Sequence, residues 1–268
     1  KRLVALEGGG LLEFQKSNHE IVKVVLGQCS YKGPDLHCYS RHQEFFHHLG
    51  RLQERSWWLT NAHQPCSDPP TIFAFQDKIP EFRFFTGNEV GNSLIGQARD
   101  NIVQRAIEIS ADYLMFFDDD MLFDNDAFLR LWRHQKEIIG ALAFTSRVPI
   151  APVLWQFKRT WNFAKQCQDV DAKVMFDYPK DQLVEVGCIG SGVILIKMEV
   201  FRKIKRPWFH GAINSGEDFH FCWQALKAGI PIFCDTSVKT SHRPNVAVEW
   251  HNEESYLNSP RSALRFNK

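Results

Sequence analysis

Three consecutive carboxylates, Asp118-Asp119-Asp120, follow the apolar run Tyr113-Leu114-Met115-Phe116-Phe117. A run of that length and bulk reads as a short buried strand, so the acids fall at its end. Adjacent anions repel one another there unless a cation or solvent screens them. A divalent cation is the economical partner. Oxygen ligands at this density suit Mg²⁺ or Mn²⁺, which keeps water or takes up a ligand's phosphates. The plainer alternative is a solvated turn that caps the following helix.

Three further segments have residue types that could do chemistry. Asn214-Ser215-Gly216-Glu217-Asp218-Phe219 is a glycine turn whose carboxylates open a helix. The helix dipole stabilises anions at that position, so ordinary capping is one reading. The other is a general base or a binder of an acceptor hydroxyl. Ser237-Val238-Lys239-Thr240-Ser241-His242 ends a strand-like run in a histidine, and a neutral imidazole can complete a carboxylate metal site. Gln97-Ala98-Arg99-Asp100-Asn101 places Arg99 near a helix start, where its planar fork could clamp a phosphate or contact a base. A structural ion pair is the alternative there. His47 and His48 read as helix-face residues rather than ligands.

The elements that must position these residues follow from pattern and punctuation. Ile21 to Cys29 is Val-rich, nearly continuous in apolar character and bounded by Gly27 and Lys32-Gly33-Pro34, as in a strand buried on both faces. Arg41 to Leu59 has Phe45, Phe46, Leu49 and Leu52 at helical spacing. Asn61 to Pro80 is a proline-rich loop with a short apolar piece, Thr71 to Phe75, and Glu81 to Phe85 is a candidate strand. The Arg99 segment runs into a helix bearing Ile102, Ala106, Ile107 and Ile109. A helix is predicted over Asp124 to His134, with Asp124 or Asn125 as N-cap. Ile138 to Phe144, Ser191 to Lys197 and Ile230 to Asp235 are predicted strands, and Met198 to Ile204 is a short helix. Phe219 to Ala228 is a helix closed by Gly229. The aromatic stretch from Pro149 to Pro179 reads as irregular. Strands alternate with helices, which points to an α/β fold with a largely parallel sheet.

Composition narrows the function classes. Hydrophobic residues are 44% and charged residues 24%, the range of a folded globular chain. A net charge of +1 gives no overall basic footprint for nucleic acid. The seven cysteines contain no CxxC pair, which argues against a zinc ribbon. They read as mostly buried thiols in a reducing compartment, with a disulfide in a secreted protein as the alternative. No apolar run is long enough to span a membrane, and Lys1 to Gly10 lacks the apolar core of a signal peptide. A cytoplasmic location is the expectation. Residues 1–20 read as an extension or added remnant. Residues 21–268 read as one domain, with acceptor-side elements over about 145–242 and a polar tail from 243.

The order of these features resembles glycosyltransferases of the GT-A type, especially those like family 2. A Val-rich first strand precedes an Ala-Arg-x-Asn helix and Phe-Phe-Asp-Asp-Asp; a Gly-x-Gly strand, a Gly-Glu-Asp helix and a late histidine follow. The resemblance covers roughly Ile21 to His242. It implies a Rossmann-like sheet flanked by helices, and transfer of a sugar from a nucleotide-diphosphate donor, UDP-sugar first, to an acceptor hydroxyl. Asp118 and Asp120 match the Asp-x-Asp pair. Asp120 would bind Mn²⁺ or Mg²⁺ directly, with Asp118 and His242 completing the ligands. Asp119 and Arg99 would lie near the donor, and Gln28 and Ser30 near its base or ribose. Gly190, Ser191 and Gly192 would let the backbone approach the donor sugar or acceptor. Asp218 would be the base of an inverting reaction and Glu217 an acceptor-binding residue.

The aromatic stretch from Trp155 to Phe176 is a candidate acceptor region. Lys158, Arg159, Lys203, Lys205 and Arg206 add positive charge around Trp161 and Trp208. A glycan, a small molecule or modified DNA are the acceptors under consideration. Two rival classes stand beside this reading. One is a metal-dependent nucleotidyltransferase, and the other is a non-catalytic module binding carbohydrate or nucleic acid.

Overall fold

The computed structural model describes residues 21–30, 36–61, 80–90, 94–146, 148–162, 167–211, 216–242 and 252–258. The N-terminal extension, most of the polar tail, Thr71 to Phe75, Asn214 and Ser215 lie outside the described residues.

The central sheet has eight strands. Its path is β2 (Glu81–Val90), β1 (Ile21–Ser30), β3 (Tyr113–Asp118), β10 (Val193–Lys197), β5 (Ile138–Leu142), β11 (Ile232–His242) and β4 (Met121–Phe123), with β8 (Leu183–Val186) also paired to β11. β1 pairs in parallel with β2 and β3, and β5 pairs in parallel with β11. β10 runs antiparallel between β3 and β5, so those two keep a common direction. β4 and β8 also run against β11. The sheet is therefore mixed, with β1, β2, β3, β5 and β11 sharing one direction.

Side-chain alternation along the strands explains the continuous apolar runs. Val25, Phe116 and Ile194 enter a core on one face, together with Ile102 and Val103 of α2 (Ile95–Glu108) and Phe221 of α5 (Glu217–Lys227). Val24, Phe117 and Leu195 enter a core on the other face, with Phe45 and Leu49 of α1 (Leu36–Asn61) and Phe128 of α3 (Ala127–Arg133). Gly27 makes the first face possible at one point. A Cβ there would lie 2.8 Å from Phe116 and 2.9 Å from Ile102, so only glycine lets α2 close on β1 and β3.

Several sequence expectations need correction. The stretch from Pro149 to Pro179 is not irregular. β6 (Leu154–Asn162) and β7 (Cys167–Val174) form an antiparallel hairpin, and β6 also pairs with β9 (Cys188–Ile189). Its alternation, with Trp155 and Phe157 flanking Gln156, is short enough to hide among other aromatics. The helix expected from Asp124 begins later, because Met121–Phe123 extend as β4 against the end of β11. Asp126 holds the N-cap position of α3 without a side-chain cap. β11 continues past Asp235 through an irregularity to His242. Gly229 closes α5 as expected, at φ 77°. Among the described residues Cys38, Cys188, Cys222 and Cys234 are free, buried thiols. No described helix is long and apolar enough to cross a membrane. The short helices α4 (Val200–Lys203) and α6 (Glu253–Leu257) complete the elements.

Candidate active site

The end of β3 is where the acidic residues gather. Asp118 is its last residue, and its backbone N–H donates to the Gly192 carbonyl at 2.9 Å. The Asp118 carboxylate accepts from Arg99 Nη2 at 2.8 Å. Arg99 is 1% exposed, and its guanidinium also lies 3.6 Å from Glu217. Phe116 covers it at 5.1 Å. Arg99 thus joins the tip of β3 to the first residue of α5. Burial pushes the Asp118 carboxyl up to about 6, against the pull of Arg99 and with repulsion from Asp120.

Arg99 was expected beside the donor. The structure shows it paired with Asp118 and near Glu217, the ion-pair alternative read from the sequence. Its neighbour Asp100 is equally internal. Asp100 Oδ1 accepts from the backbone N–H groups of Trp208 and Phe209 at 3.1 and 2.9 Å, fixing that loop to α2. Gly96 allows the same approach, since a Cβ there would lie 2.6 Å from the Phe209 carbonyl oxygen.

Glu217 and Asp218 open α5, as expected from the sequence. Ser191 Oγ donates to Asp218 at 2.7 Å. Burial, and then the charge of Glu217, push Asp218 up to about 7, against Arg99 and the Ser191 hydrogen bond. A carboxylate at that value exchanges protons near neutrality. Gly190 and Gly192 flank Ser191, and a Cβ on Gly190 would lie 2.8 Å from the Val153 side chain. A Cβ on Gly192 would lie 3.5 Å from Asp118 Oδ2, and one on Gly190 3.8 Å from Asp218 Oδ2. The Gly-Ser-Gly turn therefore runs between the two carboxylates.

Asp119 and Asp120 form the half-buried turn into β4. His242 ends β11 opposite Met121, and its Nε2 lies 3.2 Å from Asp120 Oδ2. His242 Nδ1 lies 2.8 Å from the Phe144 carbonyl, which can only accept, so Nδ1 carries a proton. In a neutral ring, Nε2 then points a lone pair at a carboxylate oxygen. Two lone pairs at that distance require a cation between them, either a proton or a metal ion. Burial pushes the His242 pKa down, but the hydrogen bond and charge of Asp120 outweigh it and the net shift is upward. An imidazole that donates its other N–H to a backbone carbonyl is also the usual arrangement of a metal ligand. The carboxylate oxygen suits Mn²⁺ or Mg²⁺, while the imidazole favours transition metals, so of these two the mixed pair fits Mn²⁺ better.

Asp120 and His242 are thus two of the three expected ligands brought together. The third, Asp118, has one oxygen committed to Arg99. Among the described residues no group of three histidine, cysteine, aspartate or glutamate side chains closes around a metal position.

Gln28 lies near the end of β1, level with Phe117 of β3. Its Nε2 is 3.1 Å from Nδ1 of His42, a buried residue that sequence reading passed over. His42 sits on α1 without a motif around it, and only tertiary contact shows its role. Ser30 is the last residue of β1, and its side chain lies outside the described residues.

In the stretch expected to meet an acceptor, Trp155 and Phe157 pack on Phe219, the residue after Asp218, at ring separations of 4.7 and 5.7 Å. Of the basic residues expected around Trp161 and Trp208, Lys203 and Arg206 can be placed. Trp208 is buried and its indole N–H donates to the Phe201 carbonyl, while Lys203 pairs with Glu137 and Glu199. Arg206 lies over Trp208 and near Asp100. The side chains of Lys158, Arg159 and Trp161 lie outside the described residues.

No family model matches this chain, and no curated protein matches it. Solved structures with a related shape include A197 from STIV, at 14% identity and TM-score 0.46, covering 82% of this chain and 85% of that one. Another is GalNAc-T7 solved with UDP, GalNAc and Mn²⁺, at 12% identity and TM-score 0.42, covering 83% of this chain and 43% of that one. A third is the catalytic domain of Drosophila beta1,4galactosyltransferase 7 in complex with xylobiose. It stands at 14% identity and TM-score 0.40, covering 87% of this chain and 68% of that one.

Proposed function

We propose that this chain is a metal-dependent glycosyltransferase that moves a sugar from a nucleotide-diphosphate donor, UDP-sugar first, to an acceptor hydroxyl. One observation carries the reading. Asp120, paired with His242 at 3.2 Å, follows Asp118 at the carboxyl end of β3 by two residues, and the Gly-Ser-Gly turn beside Asp118 holds Asp218, a carboxylate poised near neutrality. Ligands of open α/β sheets bind at such ends. The order of the sequence motifs supports the same class.

Asp120 and His242 would hold Mn²⁺ or Mg²⁺, which supplies neutralisation of the leaving diphosphate's charge. The chain's own residues do the rest. Gly192 would let the backbone approach the donor sugar beside Asp118, whose Oδ2 lies 3.5 Å from where a Cβ on Gly192 would stand. Ser191 holds Asp218 by one oxygen, so the other is the one that receives a proton. The acceptor hydroxyl forms a bond to the anomeric carbon as the bond to the diphosphate breaks, and its proton passes to Asp218. Arg99 holds Glu217 beside it, where that carboxylate can accept a second hydrogen bond from the acceptor. This scheme inverts the anomeric centre. Trp155 and Phe219 lie on the acceptor side, and their rings suit a sugar face.

The test is product identity. UDP-sugars incubated with Mn²⁺ and an acceptor panel of glycans, small molecules and modified DNA should release UDP and form a glycoside of inverted configuration by NMR. Asp218→Asn should lower the rate by about 100-fold or more. Release of pyrophosphate from nucleoside triphosphates, with UDP-sugars untouched, would replace this reading by nucleotidyl transfer.

A further inference from the structure

His242 faces Asp120 only in the orientation that its other ring nitrogen allows. Nδ1 donates to the Phe144 carbonyl at 2.8 Å, and the ring is rigid, so a turn that breaks this bond also carries Nε2 away from Asp120 Oδ2. The direction of the Phe144 carbonyl therefore sets the aim of His242. Phe144 lies just past the end of β5, in an isolated bridge to Pro152. Its neighbours are tied on one side. The Val153 N–H donates to the Ala143 carbonyl and the Thr145 N–H to the Ala151 carbonyl, each at 2.9 Å. With both neighbours held, the freedom that remains is the tilt of Phe144 between them, and packing of its ring fixes that tilt.

The Phe144 ring is fully buried and meets Tyr256 of α6 at 5.3 Å between centroids, tilted by 34°. Tyr256 is 1% exposed, and its hydroxyl donates to the Phe176 carbonyl at 3.1 Å. Further contacts hold α6 in place. Glu253, its first residue, accepts from Lys239 at 2.6 Å and from the Tyr178 hydroxyl at 2.9 Å. Lys239 is on β11, the strand that ends in His242. Asn252 and Ser255 close the start of the helix as a reciprocal capping pair. A helix from beyond β11 in sequence thus returns to both supports of His242, the strand that carries it and the carbonyl that orients it.

We infer, on the metal-site reading above, that Tyr256 is a positioning residue for His242 as a metal ligand, acting through the Phe144 carbonyl. The outer partner of a ligating histidine governs affinity for the ion, because it fixes the ring's tautomer and direction before the ion arrives. Removing the Tyr256 ring leaves a cavity beside Phe144, the residue relaxes toward it, and His242 loses its fixed aim. The ring does this work, while the hydroxyl anchors α6.

The test is the Mn²⁺ concentration that gives half-maximal UDP binding in calorimetric titration. Tyr256→Ala should raise it about tenfold. Tyr256→Phe keeps the ring and should stay within about threefold of wild type. Gly187→Ala introduces a clash at β6, away from Phe144, and should leave the value unchanged, which separates positioning from loss of stability. If Tyr256→Ala fails to fold by circular dichroism, Tyr256→Leu takes its place and should raise the value by more than about threefold. A wild-type value in the alanine or leucine variant overturns the inference. So does an equal rise in Tyr256→Phe or in Gly187→Ala. Wild-type protein that binds no UDP, or binds it without regard to Mn²⁺, overturns the metal site itself, and that outcome is distinct from a Mn²⁺ dependence that Tyr256 does not alter.

Discussion

Arg99 and Asp118 form an ion pair at 2.8 Å in which the guanidinium is almost wholly withdrawn from water. The same guanidinium faces Glu217 across 3.6 Å. One buried cation therefore ties the end of β3, at Asp118, to the start of α5, at Glu217. Its pairing offsets a desolvation cost that it could not bear alone.

Removing that cation should be costly. Arg99→Ala leaves Asp118 and Glu217 facing each other without a counter-charge, and should lower stability by about 3–5 kcal/mol. Urea unfolding checks this through a reduced midpoint. Arg99→Lys retains the charge but not the fork, and should fall between wild type and Arg99→Ala. Wild-type stability in Arg99→Ala would remove the linking role.

The rate of transfer should rise with pH through about 7, where Asp218 loses its proton. The sign follows from its role. A base works only when unprotonated, and burial raises Asp218, so activity is low in mild acid and reaches a plateau above neutrality. A pH profile of kcat under saturating donor and acceptor checks it. Asp218→Asn should leave a low rate without that inflection, and an unchanged inflection would assign it to another group.

Gly187 is a packing test beside β6. A Cβ there would lie 2.4 Å from the Phe157 backbone nitrogen, which cannot swing away as a side-chain tip could. Gly187→Ala should destabilise the protein by about 1–3 kcal/mol, seen as a lower thermal midpoint. UDP affinity should change little, because the clash is with β6 and not with β1, β3 or the Asp120 turn.

Much of this was legible in the sequence where local pattern and chemistry agree. The run from Tyr113 to Phe117 is buried on both faces and ends in acids, so strand and turn could be read together. Glu217 and Asp218 start a helix as their types predict. Gly190 and Gly192 border the acids as a Gly-x-Gly turn suggests. Other features depend on tertiary contact. Arg99 has the same helical surroundings with or without carboxylate partners, and its pairing with Glu217 depends on the placement of α5. His42 stands among other histidines in α1, and its contact with Gln28 and Met121 spans separations of 14 and 79 residues. The β6–β7 hairpin was hidden because its aromatic residues also fit a loop, and its pairing partner β9 lies far along the chain. The antiparallel insertion of β10 has no signature in β10 itself, whose apolar run suits either direction.

The central claim is that Asp120 and His242 hold a metal ion for a nucleoside diphosphate. The most direct measurement is calorimetric titration of UDP, with and without Mn²⁺, on wild type and Asp120→Ala. The account expects binding that depends on Mn²⁺ in wild type and is lost in the variant. Wild-type protein that binds neither UDP, GDP nor CDP with Mn²⁺ present, or an Asp120→Ala variant that keeps full Mn²⁺-dependent affinity, would contradict it and leave the acidic turn a structural one.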